Sequence, residues 1–264
     1  MQLNFRKYGS GTPLVILHGL FGSSDNWQTL GKKFSENFLV YLVDLRNHGH
    51  SPHSDEFSYE LMSDDINELI LSEKIENVNL LGHSMGGKVA MRAVQKFPFH
   101  FKNLVVADIG VKKYPMHHEH IIAGLQSINL KDTSSRAEAR KLLKLHVKEE
   151  GVQQFLLKNL YWKQKGELSW RMNLNVLVEN MSEILKDIPK ELSLTPTLFL
   201  KGEKSKYIEQ EDFDELHELF PNSEIETVYN AGHWLHAENP LDFYQLVFDF
   251  LQKKSLLIGG LLRN

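Results

Sequence analysis

Gly82-His83-Ser84-Met85-Gly86-Gly87 places a serine between small residues, and Asn230-Ala231-Gly232-His233-Trp234 places a histidine far downstream. A serine hydroxyl is a weak nucleophile until a base accepts its proton, so the pair has the makings of covalent acyl chemistry. Upstream of the serine, Val78-Asn79-Leu80-Leu81 is a short apolar run of strand type, and 85–97 reads as a helix stopped by Pro98. A serine on so tight a strand-to-helix turn holds its hydroxyl above the sheet edge, while small neighbours let the two backbones approach. Ser84 is therefore the candidate nucleophile. His233 follows the last strand-like run and precedes a helix opening near Pro240, so its loop points to the same edge. It is the candidate general base. His236 is the nearest rival and reads as packing or facing solvent.

A tetrahedral intermediate needs two N–H donors aimed at its developing oxyanion. One is the Met85 backbone N–H, at the positive end of the helix after Ser84. The other is expected from a glycine-bearing turn after an early strand. Leu17-His18-Gly19-Leu20-Phe21-Gly22 fits and would present the Leu20 N–H. His18 reads as a hydrogen-bonding support for that turn. The base also needs an acidic partner to hold its tautomer. Asp108 ends the run Leu104-Val105-Val106-Ala107, one strand over from Ser84, and neighbouring strands lie only ~4.8 Å apart. Asp108 is expected to orient His233, with Glu203 and Glu209 as alternatives.

Strand-like runs at 14–17, 38–43, 78–81, 104–107, 198–200 and 225–229 must position these groups. Helix-like segments at 27–34, 61–71, 85–97, 209–220 and 241–253 fall between most of them. This alternation predicts an α/β fold with a mostly parallel, doubly wound sheet. The rhythm breaks between Asp108 and Pro196, where no convincing strand appears and helical stretches fall at 135–149, 152–160 and 172–185. The expected division is a core of 1–110 and 191–264 with a helical cap insertion, 111–190, at the carboxyl edge where ligands bind in open α/β sheets. Phe155, Leu156, Trp162, Trp170 and Leu177 are candidates to line an acyl pocket there.

Composition narrows the class. The formal net charge is −4 without a long Lys/Arg block, which argues against nucleic acid as a partner. The absence of cysteine excludes disulfides, thiolate metal sites and a cysteine nucleophile. Neither His48, His50 and His53 nor His117, His118 and His120 has the spacing of a catalytic zinc site, so no metal is expected. Asp44-Leu45-Arg46-Asn47 reads as a structural loop. No apolar stretch approaches the ~20 residues that span a bilayer, and the N-terminus lacks a signal-peptide core, so a cytoplasmic location is expected. The apolar tail 255–262 is compatible with packing on the core or on a second copy of the chain, which leaves a homodimer open.

Taken together, His18-Gly19-Leu20-Phe21-Gly22-Ser23, Asp44-Leu45-Arg46-Asn47-His48-Gly49-His50-Ser51, the Ser84 turn and Gly232-His233-Trp234 resemble the α/β-hydrolase superfamily. They are most similar to its small bacterial esterases of the YbfF type and the related eukaryotic ABHD11-type proteins. Ser135-Arg136-Ala137-Glu138-Ala139, the run from Glu150 to Asn159, and Trp170-Arg171-Met172-Asn173 resemble the cap of that subfamily. The resemblance implies a serine esterase acting on acyl esters, with no cofactor. Most relatives carry the orienting acid in a G-x-x-D turn. Here that turn is Gly202-Glu203-Lys204-Ser205, so the acid is displaced, and the subfamily's Asp-Ile-Gly/Ala segment implies Asp108. Thioester hydrolysis on acyl-CoA, carbon–carbon cleavage, or a hydrolase-like small-molecule receptor are the alternatives. Dehalogenases and epoxide hydrolases place aspartate where this chain has Ser84.

Overall fold

The computed structural model describes residues 1–253, and the apolar tail at 255–262 lies outside the described residues. Seven strands form the main sheet: β1 (Phe5–Tyr8), β2 (Pro13–Leu17), β3 (Leu39–Val43), β4 (Val78–His83), β5 (Phe101–Ala107), β8 (Thr197–Gly202) and β9 (Ser223–Val228). Their order is β1-β3-β2-β4-β5-β8-β9, with every pairing parallel except β1 on β3. The central strands are buried on both faces, which is why they read as continuous apolar runs. Helices cover both sides. On one side lie α2 (Tyr59–Glu73), α3 (Met85–Lys96) and α9 (Phe213–Leu219); on the other lie α1 (Gln28–Phe34) and α11 (Pro240–Gln252). The short α10 (Leu235–Glu238) links the His233 loop to α11.

Local chemistry fixes the helix ends. Ser58 caps α2 by accepting the Leu61 N–H at 3.2 Å, and α2 stops where Lys74 turns left-handed. Pro240 opens α11 beside Asn239, whose side chain accepts the Asp242 N–H.

Between β5 and β8 the chain makes five helices: α4 (Glu119–Gln126), α5 (Arg136–His146), α6 (Glu150–Leu157), α7 (Leu174–Glu179) and α8 (Met181–Ile184). It also makes an antiparallel hairpin of β6 (Leu160–Gln164) and β7 (Glu167–Trp170), which corrects the expectation of a strand-free segment. Lys88 of α3 ties down both ends of this excursion. Its buried ammonium donates to the carbonyl of Lys112 at 2.9 Å and to that of Lys186. Among the described residues no helix is long and apolar enough to cross a membrane.

The Ser84 turn works only because β4, α3 and the end of β2 nearly touch. A β-carbon on Gly86 would lie 2.5 Å from the His18 carbonyl oxygen and 2.7 Å from that of Leu17, and one on Gly82 would collide with the Gly86 carbonyl. Backbone cannot yield there as a flexible side chain would. Gly86→Ala is expected to destabilise the fold by ~2 kcal/mol or more, seen as a thermal midpoint lowered by several degrees. Gly151→Ala, in the first turn of α6 with nothing within 4 Å of the new atom, should be neutral or slightly stabilising in the same melt.

Candidate active site

Ser84 sits between β4 and α3 with φ 52° and ψ −122°, a region that non-glycine residues avoid. Its N–H donates to the Ala107 carbonyl at 2.9 Å, and its carbonyl accepts from Gly87 N–H at 2.8 Å, so backbone bonds hold the turn on both sides. Such strain persists where the surroundings over-determine it. The result is a half-buried hydroxyl at the carboxyl end of the sheet.

The structure brings Asp108, His233 and Ser84 together. His233 Nδ1–H donates to Asp108 Oδ2 at 2.8 Å, which leaves Nε2 to accept the Ser84 hydroxyl at 3.0 Å. Asp108 is 0% exposed, and its Oδ1 accepts the Gly202 N–H at 2.9 Å. Its Oδ2 also accepts the Ser205 hydroxyl. Ser205, where an aspartate was expected, thus still faces the same carboxyl–imidazole pair. The alternatives lie elsewhere: exposed Glu203 accepts the Asn230 N–H at 2.8 Å, and exposed Glu209 leads into a short 3-10 turn.

His233 is held on three sides. Tyr207 stacks on its ring at 3.9 Å and 16°. His83 Nε2–H donates to the His233 backbone carbonyl at 2.8 Å. Trp234 meets the His233 ring nearly edge-on at 5.7 Å and packs near Phe155 with ring centroids 6.1 Å apart. His236 is not a second base, because it is buried and stacks flat on Trp27 at 4.2 Å.

Leu20 and Met85 flank Ser84. These three residues share the wall of a small pocket of about 20 Å³. The Gly19 carbonyl accepts from Gly22 N–H at 2.9 Å and from His18 Nδ1–H at 2.8 Å. The next peptide N–H, that of Leu20, must point the opposite way across a trans peptide plane. Neither the Leu20 nor the Met85 N–H has a hydrogen-bond partner among the described residues. The Asp44–Asn47 loop is a brace: Asp44 accepts from Ser24 N–H and His50 N–H, and Arg46 pairs with buried Asp65 at 2.7 Å.

A cavity of about 310 Å³ opens above Ser84, and Phe155 and Trp234 also wall an adjoining cavity of about 500 Å³. Phe155 and Leu156 line the first as expected. The other three acyl-pocket candidates do not: Trp162 is 46% exposed, Leu177 is buried in the core, and Trp170 borders a separate open groove. Their apolar or aromatic character indicated burial but not direction: Trp162 and Trp170 lie on the hairpin, where no strand was expected, and Leu177 turns into the core. His117, His118 and His120 also line the cavity, and Tyr207 bonds to His117. The sequence marked them only as a cluster, with no periodicity to aim them.

A family profile described as alpha/beta hydrolase fold matches residues 12–148. The chain is 40% identical over 260 residues to the sn-1-specific diacylglycerol lipase ABHD11 of Danio rerio, spanning 94% of this chain and 81% of that protein. It is 34% identical over 248 residues to esterase YbfF of Escherichia coli, spanning 91% and 95%. The solved structure of a marine microorganism esterase superposes with a TM-score of 0.92 at 42% identity, covering 94% of this chain and 99% of that one. The chain belongs to the α/β-hydrolase family.

Several histidines of this hydrolase are structural and uncharged. His18 and His48 each accept a backbone N–H through Nε2, from Leu45 at 3.1 Å and Phe21 at 3.3 Å, which a protonated ring could not do. Burial holds His18 and His83 below the ordinary imidazole range and pushes His48 and His236 down to about 3. Below pH ~6.5 the unfolded chain therefore takes up protons that the folded chain refuses. Stability is present above that value and is lost as pH falls towards about 3, by ~1.4 kcal/mol per pH unit for each such histidine. Urea unfolding at pH 7.5 and 5.5 should show this slope, reduced by about one proton in His48→Gln. A flat profile would contradict the neutral assignment.

Proposed function

We propose that this α/β hydrolase cleaves carboxylic esters through an acyl-serine intermediate, using Ser84, His233 and Asp108 as nucleophile, base and orienting acid. The observation that carries this reading is the unbroken chain of hydrogen bonds from Ser84 Oγ through His233 to Asp108. The names of the relatives, esterase and lipase, agree with ester hydrolysis as the activity class.

In this mechanism Ser84 Oγ attacks the ester carbonyl carbon while His233 Nε2 takes its proton. The carbonyl oxygen becomes an oxyanion that accepts from the Leu20 and Met85 N–H groups. The tetrahedral intermediate collapses, His233 protonates the departing alkoxide, and an alcohol leaves. Water then loses a proton to His233 as its oxygen attacks the acyl carbon. Release of the acid restores Ser84. Asp108 keeps the Nδ1–H tautomer and stabilises the imidazolium that forms in each half. Residues 111–190 serve as the cap, and the substrate is a small-molecule acyl ester whose acyl chain lies towards Phe155 and Leu156.

Ser84→Ala should remove essentially all turnover of a chromogenic short-chain ester, a loss of ~10⁴-fold or more, without lowering the thermal midpoint. A fluorophosphonate should label Ser84 stoichiometrically. Asp108→Asn should lower kcat by ~10²–10⁴-fold, because the amide favours the wrong imidazole tautomer. Glu203→Gln and Glu209→Gln should change it far less. Near wild-type turnover by Asp108→Asn would remove it from the mechanism.

Because Phe155 lines both cavities, Phe155→Ala should shift preference towards longer acyl chains while acetate esters change little. Equal loss at every chain length in a folded variant would deny Phe155 a pocket role.

A further inference from the structure

The hairpin β6–β7 is fastened at its base by two asparagines, one reaching the turn that presents Leu20 and the other the neighbouring Asp44–Asn47 loop. Asn159, immediately before β6, is 3% exposed. Its Nδ2 donates to the Phe21 carbonyl at 2.7 Å and to the Leu156 carbonyl at 3.2 Å, while its backbone carbonyl accepts from Arg171 N–H at 2.8 Å. Both side-chain partners are acceptors, so the amide must turn its NH₂ to them. Its Oδ1 is buried with no partner among the described residues, an arrangement that by itself destabilises. The other fastening is Asn173, just after β7, whose N–H donates to the Asn47 carbonyl at 2.9 Å, beside His48.

Phe21 is an unusual residue to hold. It is a buried aromatic at φ 57°, a left-handed conformation that costs about 1 kcal/mol or more without glycine. Its N–H goes to His48 Nε2 at 3.3 Å, and His48 Nδ1–H is fixed on the Arg46 carbonyl at 2.9 Å. The core therefore grips the N–H side of Phe21, and the 111–190 segment grips its carbonyl through Asn159. Leu20 lies directly before this pinned residue.

We propose that Asn159 is a positioning residue for the oxyanion site. By holding the Phe21 carbonyl it keeps the turn in the one conformation that aims the Leu20 N–H beside Ser84. The two-donor site is complete only while the hairpin base is seated. The proposal rests on the acyl-serine reading given above.

The test uses the full chain with Asn159→Leu, which removes the donor at similar volume, and Asn159→Asp, which keeps the shape but faces the carbonyls with an acceptor. Tyr59→Phe is the control, since it removes a different bond to the same segment, Tyr59 Oη–H to the Ile184 carbonyl at 2.6 Å. The measurements are kcat and KM on a short-chain p-nitrophenyl ester, inhibition by a trifluoromethyl ketone that forms a tetrahedral adduct, and the thermal midpoint. Both Asn159 variants should lose ~10–100-fold in kcat, below the ~10²–10³-fold of losing a donor outright, with KM within ~3-fold. Trifluoromethyl ketone affinity should weaken in proportion to kcat. Tyr59→Phe should keep kcat within ~3-fold even where its midpoint falls. If Asn159→Leu does not fold, Asn159→Asp carries the comparison. Wild-type kcat in a folded Asn159 variant, or an equal loss in Tyr59→Phe, overturns the proposal. Ser84→Ala measured alongside separates the two ideas: retained turnover there overturns the acyl-serine reading and this one with it, whereas its loss beside unaffected Asn159 variants overturns this one alone.

Discussion

A carboxyl group with no exposed surface is the constraint around which the carboxyl edge of this sheet is organised. Burying Asp108 is tolerable only if donors surround it. Three do: the Gly202 N–H at the end of β8, the Ser205 hydroxyl in the following turn, and the His233 imidazole in the loop after β9. The donors come from two separate stretches, the end of β8 with its turn and the loop after β9, so satisfying one carboxyl fixes the relation of β5, β8 and β9. The backbone adds to this, since Asp108 N–H donates to Leu200 at 2.8 Å and Ala107 accepts from Ser84. A slip of one residue in β5 would turn the carboxyl to the opposite face and leave all three donors unpaired. Register and site geometry are the same requirement.

The edge is also stiff because its supporting histidines are neutral and bonded to backbone. His18 and His48 each use one N–H and one lone pair, and His83 one N–H, on named backbone groups. Neutral rings serve here because the space is dry, and burial outweighs the pull of the Asp44 carboxylate on His18 and His48. Many histidines in a sequence therefore signal no catalytic multiplicity. His233 differs from the rest by bridging a buried carboxyl and a half-exposed hydroxyl.

Much of this was legible in the sequence, for a physical reason. Strands buried on both faces must be apolar throughout, so β2 to β5 and β8 announce themselves, and the glycine-flanked Ser84 has few structural explanations. Asp108 was legible because strand order and spacing leave little choice of neighbour. The hairpin was not. Tyr161, Trp162, Lys163 and Gln164 alternate too weakly to mark a strand, and they pair only with β7, while the bonds that seat the hairpin on distant loops come from Asn159 and Asn173 at its base. Helix α4 was missed for a related reason: it is short, and its face is defined by the α5 side chains it meets. Ser205 was visible as a departure from pattern, yet its bond to Asp108 was not, because a serine gives no direction until its turn is folded.

Asn159 is the sharpest instance of what composition conceals. Inside a helix-like stretch, 152–160, an asparagine carries no direction, and only its partners show that it reaches across to Phe21. A turn that holds a left-handed phenylalanine needs contacts that offset its conformational cost. The sheet supplies one half through His48, and the segment above the site supplies the other. On the proposed reading, seating that segment shields the acyl chain from water and completes the oxyanion site by the same contact. If Asn159 positions the Leu20 turn as proposed, shielding and activation cannot be separated by loosening the hairpin, because the same base contact serves both.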